Sequence, residues 1–409
     1  MNSTEPIART YDVGGIELPR PFRIRRIGHL GINCERFDEA LSFYTRLLGF
    51  RISDPINFGQ RLSPEEQVRN PDHYGYFLRN GTDHHSFVIF PRSTYEAVRG
   101  KHSVPGVVTN QITWQVGSLR ETVDGGTYLR ESGSTIAKSG RDTPGSNWHV
   151  YPVGPEGFVN ELYYGIEQIG WDGASKPAAM HAIRYTEAPA LPHRSESAEI
   201  LSALSNEVDI ASGNRTFETD EERFDVGGIL LARPFKIVRV GPIRLFLDDV
   251  AAAVAFYRDT LGLSVTEEIV WNGHRCAFLR ANTEHHSLAL YPTALRAELG
   301  LRADSKLFSV GFQVADYRQL RDAVSYLREQ RVIVRELPSE LFPGIDYSAF
   351  AFDPDGNAVQ LYYYMEQVGW DGRPRPAGQR RSVVAGTWPE RIDALGDTFS
   401  GEPYLGPWG

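Results

Sequence analysis

A chain of 409 residues exceeds the usual span of one domain, so more than one core is expected. Hydrophobic residues at 41% and charged residues at 23% describe an ordinary soluble globular protein, and a formal charge of −9 argues against a nucleic-acid surface. Two cysteines, Cys34 and Cys276, are too few for a disulfide framework or zinc ribbon; the opening Met-Asn-Ser-Thr-Glu-Pro has no apolar run, so neither signal peptide nor membrane span is expected, and the expected compartment is the cytoplasm.

In chain order, the run from Arg23 to Ile32 predicts a strand. A helix should follow, with Phe37, Ala40, Leu41, Tyr44 and Leu48 on one face and Gly49 as its stop. Three strands are expected next, around Arg51, from Tyr74 to Leu78 and from His84 to Phe90, and a second round begins at Val107 to Val116. The turn signal Val-Gly-Pro-Glu-Gly-Phe then predicts a hairpin centred on Glu156 that sets Tyr151 opposite Glu161.

The pattern then starts again. Tyr11-Asp-Val-Gly-Gly-Ile returns as Phe224-Asp-Val-Gly-Gly-Ile, Asp83-His-His-Ser as Glu284-His-His-Ser, and Glu161-Leu-Tyr-Tyr as Gln360-Leu-Tyr-Tyr. The offset is 213 at the start and about 200 later, so the first copy carries an insertion between residues 50 and 83. In the second copy Val250, Ala253, Val254, Tyr257 and Leu261 repeat the first helix, capped by Asp248 or Asp249 and closed by Gly262. Lys306 to Val314 repeats the strand, Tyr317, Leu320, Val324 and Leu327 mark a helix, and Asp353-Pro-Asp-Gly repeats the hairpin, with Phe350 facing Gln360. The expected fold class is α+β, with four βαβββ units. Residues 1–173 and 223–373 are the two expected domains, 174–222 the linker and 374–409 a tail over the surface.

The copies differ where chemistry could reside. His29 follows Gly28 in the first strand, and its counterpart is Pro242, which can neither bind a metal nor donate to a ladder. His84 and His85 persist as His285 and His286, which suggests a partly structural role. Tyr151 and Glu161 become Phe350 and Gln360.

These residues resemble the vicinal oxygen chelate superfamily, and within it the type I extradiol dioxygenases that cleave catechols. Gly28-His29-Leu30 looks like that family's first metal-ligand strand, and Asp83-His84-His85-Ser-Phe-Val-Ile like its histidine-pair strand. Gly140-Arg141-Asp142-Thr143 through Tyr151 to Glu161 looks like its last hairpin. The resemblance implies tandem vicinal oxygen chelate domains, each half-barrel-like. It also implies a metal held by His29 and Glu161, a catalytic acid/base at His85 and a substrate contact at Tyr151. Asp142 stands where the family usually carries a further histidine, and Gln111 stands where the family's second ligand histidine belongs. Gln111, Thr113 and Gln115 alternate with Ile112, Trp114 and Val116, so the amide faces the polar side, and the second copy has Ser309 there. His73, His102 and His149 are the alternative third ligands.

The implied function is Fe(II)-dependent ring cleavage of a catechol-like aromatic by O2 in the first copy, with Mn, Co, Zn or Mg as alternative metals. Two rivals remain: a metal-dependent lyase, isomerase or epimerase of the same superfamily, and a metal-free protein that binds an aromatic ligand. The expected partners are the small aromatic substrate and O2, with neither nucleic acid nor membrane, and a homo-oligomer is compatible with these features.

Overall fold

The computed structural model describes residues 9–100, 103–141, 145, 148–170, 172–181, 187–217 and 219–395. The first copy opens with a ribbon of β1 (Tyr11–Asp12) and β2 (Glu17–Leu18). An eight-stranded sheet follows: β3 (Arg26–Cys34), β4 (Arg51–Asn57), β5 (Tyr74–Arg79), β6 (Phe87–Pro91), β7 (Thr109–Val116), β8 (Ile136–Gly140), β9 (His149–Pro152) and β10 (Asn160–Tyr164). Their order across the sheet is β4-β5-β6-β3-β7-β10-β9-β8, two βαβββ units joined at the antiparallel β3–β7 seam.

The second copy repeats this plan. Its ribbon is β11 (Phe224–Val226) and β12 (Ile229–Leu231). Its sheet strands are β13 (Ile237–Leu247), β14 (Ser264–Trp271), β15 (His274–Arg280), β16 (Leu288–Pro292), β17 (Leu307–Val314), β18 (Val334–Arg335), β19 (Ser348–Phe352) and β20 (Ala358–Tyr362), in the order β14-β15-β16-β13-β17-β20-β19-β18. The four-unit α+β plan expected from the repeat is therefore present. Among the described residues no helix is long and apolar enough to cross a membrane.

Three local differences from expectation have physical causes. His84 and His85 stand just before β6 rather than within it, because the His84 N–H leaves the ladder and donates to the Glu167 carbonyl, 2.8 Å away. The first helix is α-helical only over Phe37–Ser42 and finishes as a π-turn over Phe43–Leu47, before Gly49 stops it at φ 85°. The stretch expected as a linker contains a helix, Glu196–Ser205, capped by Ser195 and tied to the first copy by Arg141 donating to Glu199 at 2.6 Å. Of the stretch expected as a tail, residues 374–395 are described, and two of them contact the second copy: Tyr317 donates to the Pro389 carbonyl at 2.7 Å, and the Trp388 indole donates to Glu336 at 3.1 Å.

Strand alternation sends Leu30, Ile32, Ile112, Trp114 and Leu162 to the helix-bearing face of the first sheet, and their second-copy counterparts do the same. These residues merge into one cluster that runs through both copies. Phe50 and Phe87 of the first copy meet Phe312 of the second at ring-centroid distances of 5.0 and 5.4 Å. Polar contacts across this junction are reciprocal. Asp355, on the hairpin of the second copy, accepts from the backbone N–H groups of Glu35 and Arg36 at 2.7 and 2.9 Å, at the start of the first copy's helix. Glu156, on the matching hairpin of the first copy, accepts from Asp248 and Asp249 at 2.6 and 3.1 Å, at the start of the second copy's helix. Each copy thus caps the other's helix.

Beneath these caps the Tyr44 hydroxyl donates to the buried Asp353 carboxylate at 2.9 Å. Burial lifts the Asp353 carboxyl to about 6, against the opposing hydrogen bonds from Asn357 and Tyr44. The folded value lies above the ordinary carboxylate value of about 3.9, so the folded protein holds the proton more tightly between the two. This contribution to stability is fully present below about pH 4 and is lost as pH rises towards about 6, by up to about 3 kcal/mol. Asp353→Asn should lack this component. The difference between wild-type and variant unfolding free energies, followed by urea titration from pH 4 to pH 7, should therefore change in the variant's favour.

Candidate metal centre and active-site cavity

The centre is built around an irregularity in the β3–β7 seam. Pairing passes from Ile27–Trp114 to Leu30–Ile112, leaving Gly28 and His29 opposite Thr113 as a bulge. The bulge frees the backbone N–H and C=O of His29 from the ladder. The Thr113 hydroxyl answers both, accepting from His29 N at 2.5 Å and donating to His29 O at 2.6 Å. Gly28 has no substitute here, because any Cβ would collide with the Tyr163 ring packed over it.

Register does the rest. Gly31 pairs with Gln111 across the seam, and β10 runs parallel to β7 with Glu161 beside Thr113. His29, Gln111 and Glu161 consequently converge: His29 Nε2 lies 3.0 Å from the Gln111 amide nitrogen and 3.2 Å from Glu161 Oε2. His29 is 1% exposed and Glu161 0%. Burial pushes the Glu161 carboxyl up, but His29, then His149 and Tyr151, outweigh it and hold the group below the usual carboxylate range.

Hydrogen bonding alone does not satisfy this trio. A proton on His29 Nε2 serves Glu161 but leaves the Gln111 amide hydrogens without that acceptor. A bare Nε2 instead turns its lone pair on the carboxylate. With the amide turned over, a choice that heavy-atom positions leave open, Oε1 faces inward and three lone-pair donors meet at one point. A divalent cation satisfies all three and compensates a carboxylate held entirely out of water. The residues therefore fit a metal. Counting only His, Cys, Asp and Glu, no three among the described residues group closely enough for an ion; the set reaches three only through Gln111.

Of the alternative third ligands, His149 lies 3.6 Å from Glu161 Oε1, on the carboxylate's other oxygen. His73 is in the insertion, its Nε2 3.1 Å from the Gln67 carbonyl oxygen. His102 and Asp142 lie outside the described residues.

His85 stands against His29 with ring centroids 4.2 Å apart. Behind it runs a chain that the sequence reading missed: His84 Nδ1 lies 2.9 Å from His85 Nδ1, and His84 Nε2 lies 2.7 Å from Asp54 Oδ2. With His84 donating to Asp54, its Nδ1 accepts from His85 Nδ1–H, and the Nε2 of His85 is left as a base. Burial first, then the His29 and His84 rings, push the His85 pKa well below the ordinary value, so the ring is neutral. The repeat itself held a signal for Asp54: its counterpart Glu267 also faces a histidine, His285 Nε2, at 3.5 Å.

His29, His85, Gln111, Tyr151 and Glu161 all open onto one cavity of about 520 Å³, walled by Phe58, Phe77, Phe90 and Tyr95. In the second copy the corresponding space is filled. Pro242 occupies the bulge, needs no partner for an N–H, and faces Gly311 in place of Thr113. Arg244, at the position of Gly31, is fully buried. Its guanidinium lies 3.2 Å from His286 Nε2 and 3.4 Å from the Ser309 hydroxyl. Phe246 and Phe308, in the places of Asn33 and Asn110, stack at 4.8 Å.

Thr113→Val keeps the shape of the side chain but strands the His29 N–H and C=O. We expect the unfolding free energy to fall by about 1–3 kcal/mol and metal binding to weaken by about 10-fold or more, read by urea titration and by chelator competition. Unchanged metal affinity would show that other contacts hold the bulge.

No curated protein sequence matches the chain significantly. Solved structures do match in fold. The Mn(II)-bound glyoxalase from Novosphingobium aromaticivorans superposes with a TM-score of 0.53 at 15% identity, covering 86% of this chain and 85% of that one. The 2,3-dioxygenase LapB from Pseudomonas sp. KL28 gives 0.54 at 15% identity, covering 86% and 96%. Homoprotocatechuate 2,3-dioxygenase from Arthrobacter globiformis gives 0.51 at 17% identity, covering 85% and 82%. At these identities the likeness speaks for the fold alone. A family model matches residues 26–162 and again 239–361. The chain belongs to the Glyoxalase/Bleomycin resistance protein/Dioxygenase superfamily, as both halves of its repeat separately attest.

Proposed function

We propose that the first copy is a ring-cleaving dioxygenase centre that acts on a catechol-like aromatic, with His29, Gln111 and Glu161 holding Fe(II). The observation that carries this reading is the meeting of a buried three-donor set with a neutral, oriented imidazole on one aromatic cavity. Fe(II), when bound, supplies open coordination positions for two adjacent phenolic oxygens and for O2.

The protein's own groups do the remaining work. His85 Nε2 takes the proton of a phenolic hydroxyl and later returns it, and the His84–Asp54 chain stabilises the imidazolium that forms between these steps. The Tyr151 hydroxyl, on the cavity wall beside Glu161, donates to a substrate oxygen. Phe58, Phe77 and Phe90 exclude water from the ring. The neutral amide of Gln111 favours one rival reading, lyase or isomerase chemistry at a redox-inert cation such as Zn or Mg.

Protein reconstituted anaerobically with Fe(II) should retain a single equivalent per chain and consume O2 only when a catechol is supplied. Glu161→Ala should lose the metal, and with it turnover by about 100-fold or more. His85→Ala should keep the metal and lose turnover by about 10²–10⁴-fold. Full metal content and O2 uptake in Glu161→Ala would sink the assignment, and turnover without O2 consumption would transfer it to the lyase or isomerase reading.

A further inference from the structure

Away from the cavity, strand register sets two arginines against each other. In the antiparallel pair β4–β5, Arg51 stands directly opposite Arg79, and like charges facing across a ladder repel. The second copy avoids this arrangement. There Arg280, at the position of Arg79, stands opposite Ser264 and reaches the Thr266 hydroxyl at 3.4 Å. In the first copy the Arg79 guanidinium turns instead to the Gly81 carbonyl, donating through Nη1 at 3.0 Å. Arg79 is only 9% exposed, and its Nε is buried without a hydrogen-bond partner. Among the described residues neither Arg51 nor Arg79 forms an ion pair with a carboxylate. Burial, and then the facing Arg51, lower the Arg79 pKa to about 10.

Both arginines line a recess of about 70 Å³ where the two copies meet. The second copy supplies its far wall with Arg233, Phe235 and Lys236. The Arg233 guanidinium is held by the Arg46 carbonyl at 3.0 Å and by Asp220 at 3.1 Å. Lys236 stands close enough to the arginine pair for the charges to sense one another: burial, then Arg51 and Arg79, lower its pKa to about 8. The carboxylate in the lining, Glu222, belongs to an exposed residue. The recess holds several times the volume that one water needs, roughly 10–15 Å³. It falls far short of the roughly 300 Å³ at which pockets for organic ligands begin.

We propose that Arg51, Arg79 and Lys236 form a binding site for one small inorganic oxyanion, sulfate or phosphate, at the junction of the copies. A tetrahedral anion accepts from several donors at once, so it answers the buried Arg79 Nε and relieves the repulsion between the cross-strand arginines. Lys236 carries three donors and can give one to the anion alongside its other contacts. Because two of the cations come from the first copy and one from the second, the bound anion also ties the copies together. The metal centre takes no part in this site.

The test titrates sulfate into the full-length, Mn(II)-loaded protein by calorimetry at constant ionic strength. One equivalent should bind, and its affinity should fall as NaCl is raised. Arg51→Ser, which installs the second copy's residue at an exposed position, should weaken binding by about 10-fold. Arg79→Met, which keeps the apolar stem, should weaken it by about 10-fold or more. Sulfate should also raise the thermal unfolding midpoint of the wild type more than that of Arg51→Ser, since an anion bound only by the folded chain stabilises it. The general stabilisation that sulfate gives by exclusion from protein surfaces is common to both and cancels in that comparison. Arg51→Ser carries the test alone if Arg79→Met fails to fold. No saturable binding to the wild type, or equal affinity in wild type and Arg51→Ser, would overturn the site. Equal sulfate affinity with and without metal supports it, whereas affinity that vanishes on metal removal would move the anion to the metal centre and overturn it.

Discussion

One side-chain hydroxyl carries much of this architecture. Thr113 closes both backbone valences that the Gly28–His29 bulge opens, and so lets a residue leave the β3–β7 ladder and aim an imidazole at the partner strands. Without the bulge His29 would keep step with its neighbours, and its Nε2 would not fall between Gln111 and Glu161. The second copy keeps the same irregularity but fills it with Pro242, whose missing N–H removes the need for a threonine opposite, and Gly311 stands there. The bulge is thus common to both copies, and its chemistry depends on which residue it presents.

The fate of the second cavity follows from simple electrostatics. Ser309 and Gln360 replace two of the three donors, and no full negative charge remains at the position of Glu161. Gln360 turns to Ser348 at 2.9 Å, and the guanidinium of Arg244 takes its place between His286 and Ser309. Phe246, Phe308, Phe342 and Phe350 close the space around it. A buried cation with polar partners and dense aromatic packing stands where the first copy has an open pocket.

Much of this was legible before the fold was known. Period-two alternation gave the faces of β7, the helical spacing gave both first helices, and the repeat exposed the positions where the copies diverge. The resemblance then marked His29, His85, Tyr151 and Glu161 as a set, and the structure brings all four with Gln111 onto one cavity. What stayed hidden depended on contacts distant in sequence. The role of Thr113 requires the register of β3 on β7, and that of Asp54 requires β4 to stand beside the turn that carries His84. The helix Glu196–Ser205 lay in a polar, Pro-containing stretch whose composition suggested only a connection. Arg244 is hydrophilic by type, and only the histidine and serine beside it explain its complete burial.

The reciprocal caps make the two copies depend on each other. Asp355 closes the first helix of the first copy, Glu156 returns the service, and a single apolar cluster passes beneath both. Excision of the second copy would expose those backbone N–H groups and one wall of the shared core together. The chain is in effect a heterodimer fused at birth, in which each member supplies the other's lid.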